Sequence, residues 1–131
     1  MIERDYPFLD KALEALAGAE SEFGSARYNN TANRAYYAVF HAAIVALQRV
    51  GVSPAGGEWS HEFVPGQFDG TLVNRRHLYS TELRGVLNRN AALRLSADYE
   101  EEPVTQTEAS RALRRTRVFV QAVQSSRNEP L

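Results

Sequence analysis

The 131-residue chain contains no cysteine, a single lysine and no long apolar run. Without cysteine it can form no disulfide, thiolate nucleophile or cysteine-ligated zinc site, which fits a reducing compartment. The longest apolar stretch, residues 38–47, is interrupted by His41 and is shorter than the roughly 20 residues that cross a bilayer. The N-terminus has no basic-then-apolar signal pattern. We therefore expect a cytoplasmic protein with no membrane contact.

Arginine carries almost all of the positive charge. Lys11 is the only lysine among 15 basic residues, and 16 acidic residues bring the net charge to −1. The planar guanidinium suits bidentate recognition of phosphate or carboxylate, although a genome that favours arginine would produce the same bias. The hydrophobic share of 44% is that of an ordinary globular chain, and the length predicts one domain over residues 1–131.

Four segments repeat apolar residues at three- and four-residue steps, as helices do. They cover about residues 9–23, 26–50 and 77–95, and a last segment that opens with a capping box at Thr105 and Glu108. The inward residues of that last helix are predicted to be Ala109, Leu113, Thr116, Val120 and Val123. Residues 51–58 are predicted to form a loop, and about 60–73 a short or broken helix that is disturbed at Pro65 and Gly66. Because no segment alternates with period two, we predict an all-α, up-and-down bundle of four main helices with a short irregular fifth piece.

The predicted helix over residues 26–50 has two different stripes. The apolar stripe, which must face the core, consists of Ala32, Tyr36, Val39, Phe40, Ala43, Leu47 and Val50. The stripe beside it consists of Asn30, Asn33, Arg34, Tyr37, His41, Ile44 and Gln48. A solvated face would favour Glu and Lys, whereas Asn is a poor helix former. Such a local conflict is more frequent at functional positions than elsewhere.

Arg34, Tyr37 and His41 can converge on one anion above the second stripe. Arg34 and His41 are two turns apart, about 10.5 Å along the axis, and Tyr37 lies between them. The arginine would hold a phosphate, and the histidine titrates near neutral pH and could move a proton. The alternative is a buried polar network that bridges to another helix or to a second subunit.

Residues 33–43, Asn-Arg-Ala-Tyr-Tyr-Ala-Val-Phe-His-Ala-Ala, resemble the signature of the HEPN family, the "higher eukaryotes and prokaryotes nucleotide-binding" domains. Residues 93–99 are similar to the Arg-x-x-Ala-Asp-Tyr ending of the fourth segment in small prokaryotic members, and Ser60-His61 resembles the pair that opens their middle helix. The resemblance covers about residues 25–123. It implies a helical bundle that is often a homodimer.

The resemblance also implies a function and a partner. Many relatives pair with a minimal nucleotidyltransferase as toxin and antitoxin, and active relatives are metal-independent endoribonucleases whose motif is an arginine followed by a histidine. We therefore expect an RNA- or nucleotide-binding protein from a toxin–antitoxin or defence pair. Neither a cofactor nor a catalytic metal is expected, because the sequence has no metal-ligand spacing such as His-Glu-x-x-His.

The candidate catalytic residues are Arg34 and His41, and the candidate RNA- or nucleotide-binding residues are Asn33, Tyr37, Arg94, Asp98 and Tyr99. In the endoribonuclease hypothesis, His41 is the general base on a ribose 2′-hydroxyl and Arg34 stabilises the charged transition state. The leaving-group acid is then Tyr37, solvent or His41 of a second subunit. After Arg94, however, Asp98 stands where active relatives carry histidine. Binding without cleavage, and a purely structural homodimeric or interaction module, are the alternatives.

Overall fold

Four long helices account for most of the computed structural model, which describes residues 6–126. The long helices are α1 (Pro7–Gly24), α2 (Tyr28–Arg49), α4 (Val86–Tyr99) and α5 (Gln106–Ser125). Between α2 and α4 lie the short helix α3 (Phe63–Gln67), a π-helix (Phe68–Arg75) and a 3₁₀ turn (Thr81–Leu83). No strand occurs within residues 6–126, so the predicted all-α bundle of four main helices is confirmed. In the same part of the chain, no helix combines the length and apolarity that a membrane crossing requires.

Helix α2 is the central element, and it packs against α1, α4 and α5. The predicted apolar stripe is confirmed, because six of its seven members are buried and Val50 is half-buried. Many of the buried α2 side chains are alanines, including Ala35, Ala38, Ala42 and Ala46. These small side chains allow neighbouring backbones to approach closely. The polar stripe lies beside the core, where Ile44 alone among its seven members is buried.

The segment after α2 differs from the prediction in one place. No helix occurs over residues 51–58, as expected, but the predicted break at Pro65 and Gly66 is wrong, since α3 runs through both residues into the π-helix. Pro65 is the third residue of α3, where its missing N–H needs no partner. A proline in the first turn therefore does not interrupt a helix.

The third helix begins later in the structure than the sequence pattern predicts. Residues 77–85 are not α-helical, and α4 starts only at Val86 and continues to Tyr99. His77 and Gly85 have φ values of 53° and 80°, which place both residues in the left-handed region. The Gly85 N–H donates to Asp69 Oδ2 at 3.1 Å. A carboxylate from the π-helix thus fixes the position at which α4 begins.

Helix α5 follows the prediction closely. The Thr105 side chain accepts from the Glu108 N–H, and the Glu108 carboxylate accepts from the Thr105 N–H, so the capping box is confirmed. All five predicted inward residues are buried. At the other end, Arg49 Nη1 donates to the carbonyls of Val123 and Ser126 at 2.5 and 2.6 Å, which ties the last turn of α5 to α2.

A buried asparagine links α2, α4 and α5. Asn90 on α4 is 1% exposed, and its Nδ2 donates to the Ala35 carbonyl at 3.2 Å and to Thr116 Oγ1 at 2.9 Å. Its Oδ1 accepts from Arg115 Nε at 2.6 Å. One side chain therefore uses both ends of its amide to hold three helices in register.

Candidate functional site

The guanidinium of Arg94, on α4, lies across two tyrosine rings of α2. Its Cζ is 5.2 Å from the Tyr36 ring centroid and 5.5 Å from that of Tyr37, within the range of cation–π attraction. The two rings meet edge to face at 5.1 Å. We call Tyr36, Tyr37, His61 and Arg94 the Arg94 cluster. It unites the three chain segments that carried the sequence resemblance.

Asp98 is the acidic neighbour of Arg94, one turn further along α4. The distance from Arg94 Nε to Asp98 Oδ2 is 3.8 Å, which counts as an ion pair but is too long for a hydrogen bond. Arg94 Nε is buried and has no hydrogen-bond partner within residues 6–126. The two residues therefore form an ion pair between neighbouring turns of α4, and the Nε of the guanidinium stays without a hydrogen bond in this part of the chain.

His61 joins the Arg94 cluster from the segment that precedes α3. Its ring stacks on Tyr36 and Phe40, with centroid separations of 5.5 and 5.0 Å. Burial raises the pKa of Tyr36 to about 12, although nearby Arg94 lowers it. The phenol is therefore protonated at neutral pH, and its oxygen is hydrogen-bonded to His61 Nδ1. A hydrogen bond that the Phe63 N–H donates to Ser60 Oγ holds this segment in place.

His41, one turn after Tyr37 on α2, contacts the Arg94 cluster through the Tyr37 ring. Its ring stacks on Phe8 of α1 at 5.5 Å and is tilted against Tyr37 at 6.0 Å. Burial lowers the pKa of His41, and the positive charge of Lys11 lowers it further. The imidazole is therefore neutral at pH 7, and its buried Nδ1 has no hydrogen-bond partner in the described part of the chain.

The placement of Arg34 differs from the expectation that Arg34, Tyr37 and His41 converge on one anion. Its side chain is exposed and runs along α1, where a Cβ added at Gly18 would lie 3.5 Å from Arg34 Cδ. The guanidinium that stands over Tyr37 is that of Arg94. The structure thus combines guanidinium, phenol and imidazole as Arg94, Tyr37 and His41.

The predicted binding residues divide into two groups. In the first group, Arg94 contacts the Tyr37 ring and forms an ion pair with Asp98. The second group is Asn33 and Tyr99, which make no hydrogen bond or ring contact with the first group in residues 6–126. Tyr99 is 80% exposed at the end of α4. His61 and Tyr36 were not among the predicted site residues. The only signal for His61 was the resemblance of Ser60-His61 to a family pair, because 25 residues separate it from Tyr36.

The arrangement offers three chemical functions on one surface. Arg94 can donate charge-assisted hydrogen bonds to a phosphate, the half-buried Tyr37 offers an aromatic ring for base stacking, and neutral His41 can accept a proton. Within residues 6–126, no group of three or more His, Asp or Glu side chains is arranged to hold a metal ion.

Comparison with known proteins gives two matches for this chain, one to a protein family and one to an individual protein. The family model of the HEPN domain matches residues 7–126. A protein of Methanocaldococcus jannaschii, named "Putative toxin", is 29% identical over 124 residues, which cover 94% of this chain and 88% of that protein. Both matches include α2, α4 and the Arg94 cluster.

Proposed function

The chain belongs to the HEPN domain family, and we propose that it is a toxin-type member that binds RNA or a nucleotide on the surface formed by Arg94, Tyr37 and His41. The name of its relative supports the toxin assignment. The single observation that carries the binding assignment is the position of the Arg94 guanidinium over two tyrosine rings, with its Nε free of hydrogen bonds in residues 6–126. The charge of Arg94 for a phosphate and the half-buried ring of Tyr37 for a base then lie side by side.

We propose that the protein acts in the cytoplasm as one half of a toxin–antitoxin or defence pair. A minimal nucleotidyltransferase is the partner that the family resemblance implies, and the toxin name of the relative agrees with such a pairing. Co-expression with the neighbouring reading frame tests this directly. We expect growth arrest by the chain alone and relief by its neighbour.

Binding to RNA is tested by the affinity of a fluorescent single-stranded RNA for wild type and variants. A hydrogen bond to a charged group contributes about 1.5–3 kcal/mol, so we expect Arg94→Ala to weaken binding by about 10- to 100-fold. Arg114→Ala, which removes an exposed arginine of α5, is the matched control and should change the affinity less than threefold. Equal losses in both variants would show only general charge attraction.

A second candidate function, metal-independent RNA cleavage, is favoured by His41. Its lowered pKa keeps the imidazole in the form that a general base requires. If the protein cleaves RNA, the reaction should proceed in excess chelator, leave a 2′,3′-cyclic phosphate and be lost in His41→Gln. His77→Asn, at an exposed histidine, should cleave normally. RNA that is bound but left intact by wild type, with or without its neighbour, would favour the binding role alone.

A further inference from the structure

His61 presents an exposed imidazole at the edge of the Arg94 cluster. The residue is exposed, whereas Tyr36, on which its ring stacks at 5.5 Å, is only 2% exposed. The guanidinium of Arg94 lies 5.2 Å from the centroid of the same tyrosine ring. A phosphate that binds Arg94 therefore lies beside a ring that His61 also contacts.

The two histidines of this surface are arranged around one aromatic ring, that of Phe40. The Phe40 centroid is 5.0 Å from that of His61 and 5.9 Å from that of His41. The His41 ring also reaches the cluster through Tyr37. Two imidazoles thus border the surface on which Arg94 would hold a phosphate, and general acid–base catalysis uses two such groups.

Tyr36 fixes the orientation of the His61 ring. Its phenol oxygen is hydrogen-bonded to His61 Nδ1, so Nε2 is the ring nitrogen that remains for a substrate. The residue before His61 is anchored as well. The Phe63 N–H donates to Ser60 Oγ at 2.9 Å, and the Val64 N–H donates to the Ser60 carbonyl at 3.1 Å. The imidazole is therefore held both through its ring and through its backbone.

The surroundings of His41 and His61 favour opposite roles in proton transfer. Burial, and then the charge of Lys11, lower the pKa of His41, so its imidazole is in the neutral form that a base requires. His61 is exposed to solvent. A phosphate held by Arg94 would place negative charge beside it, which favours the imidazolium form. The imidazolium is the form that an acid requires.

We propose that His61 is the general acid of RNA cleavage at the Arg94 cluster, an inference that rests on the second candidate function above. His41 takes the proton of a ribose 2′-hydroxyl, and the 2′-oxygen attacks phosphorus to form a 2′,3′-cyclic phosphate. The bond from phosphorus to O5′ breaks, and His61 Nε2–H gives its proton to O5′. Nδ1 keeps its proton and its hydrogen bond to the Tyr36 oxygen. Proton exchange with water then restores both histidines.

A sulfur substitution in the substrate tests this role. Two oligonucleotides contain a bond that wild type cleaves, and they differ only in the bridging 5′ atom, which is oxygen in one and sulfur in the other. A thiolate leaves without an acid, because a thiol is far more acidic than an alcohol. General acid catalysis contributes about 10²- to 10⁴-fold. We therefore expect His61→Gln to slow cleavage of the oxygen substrate at least about 100-fold, and to cleave the sulfur substrate nearly as fast as wild type.

Two further histidine variants are the controls, and every reaction contains excess chelator. His41→Gln removes the proposed base and should lose cleavage of both substrates. His77→Asn, at an exposed histidine outside the Arg94 cluster, should cleave both substrates as wild type does. His61→Gln should keep the RNA affinity and the melting temperature of wild type, since the side chain that it replaces is exposed.

The proposal is overturned if His61→Gln cleaves the oxygen substrate as fast as wild type. It is also overturned if His61→Gln is equally slow on both substrates, because the acid would then be another group, such as His41 of a second subunit. RNA that wild type leaves intact would overturn the second candidate function and this proposal together. When wild type does cleave, a failure of either expectation for His61→Gln concerns the role of His61 alone.

Discussion

His41 is the residue whose ionisation couples the candidate site to the stability of the fold. Burial against Phe8 and the charge of Lys11 lower its pKa below the ordinary value of 6.5. A lowered pKa in the folded state means that the unfolded chain binds a proton more readily. The stabilisation from neutral His41 is therefore present above about pH 6.5 and is lost as the pH falls through the lowered folded pKa.

We expect the melting temperature of wild type to fall between pH 7.5 and pH 5 by more than that of His41→Gln, because the variant has no imidazole to protonate at this site. Thermal denaturation followed by circular dichroism measures both curves. His77→Asn is the control, since His77 is exposed with a φ of 53°, a conformation that asparagine tolerates. If His41→Gln follows the wild-type pH dependence, His41 is not the titrating group.

At the scale of elements, Asn90 determines how α4 is set against α2 and α5. It makes three hydrogen bonds in a position that is 1% exposed. Asn90→Ala leaves the Ala35 carbonyl and Arg115 Nε without these partners, and each orphaned buried group costs about 1–3 kcal/mol. We expect a loss of about 2–4 kcal/mol in the free energy of unfolding, measured by urea denaturation.

Asn88→Ala is the control for that prediction, because Asn88 is an exposed residue of the same helix. Asn88→Ala should change the free energy of unfolding by no more than about 0.5 kcal/mol. If Asn90→Ala and Asn88→Ala destabilise the protein equally, the buried network does not hold the helices together.

The elements also show what the sequence could predict. The capping box of α5 and the apolar stripe of α2 depend on residues within a few turns of each other, so local spacing was sufficient. The start of α4 was misplaced, because Gly85 is fixed by Asp69, 16 residues earlier. Apolar periodicity continues through residues 77–85 and carries no trace of that contact.

The candidate site was only partly predictable for the same reason. Tyr37 and His41 share one helix, and their proximity follows from helical geometry. Arg94 and His61 reach them from other elements, so their contacts depend on tertiary packing. Arg34 stands on the predicted stripe, yet Gly18 leaves a groove on α1 that its side chain occupies. Spacing along one helix cannot show which arginine a neighbouring helix will supply.

At the scale of the whole molecule, α4 exposes apolar residues next to the Arg94 cluster. Leu95 is 51% exposed and Tyr99 80% exposed, and the two residues are one turn apart on the same face. We propose a homodimer that covers this face. A second subunit would also bring a second His41, which a cleavage reaction could use as its acid.

We expect light scattering coupled to size exclusion to give twice the chain mass for wild type and a monomer for Leu95→Glu. Val118→Glu, at an apolar α5 residue that is 38% exposed, should remain dimeric. A monomeric wild type would contradict the dimer, and so would dissociation by Val118→Glu alone.

Photo-crosslinking to RNA tests the proposed binding surface most directly. Trypsin cleavage after Arg34 and Arg49 releases residues 35–49, which contain Tyr36, Tyr37 and His41 in one peptide. With single-stranded RNA that carries 4-thiouridine, we expect the principal crosslinks on this peptide and their loss in Arg94→Ala. Crosslinks confined to other peptides, or unchanged on residues 35–49 in Arg94→Ala, would contradict the assignment of Arg94, Tyr37 and His41 as the RNA-binding surface.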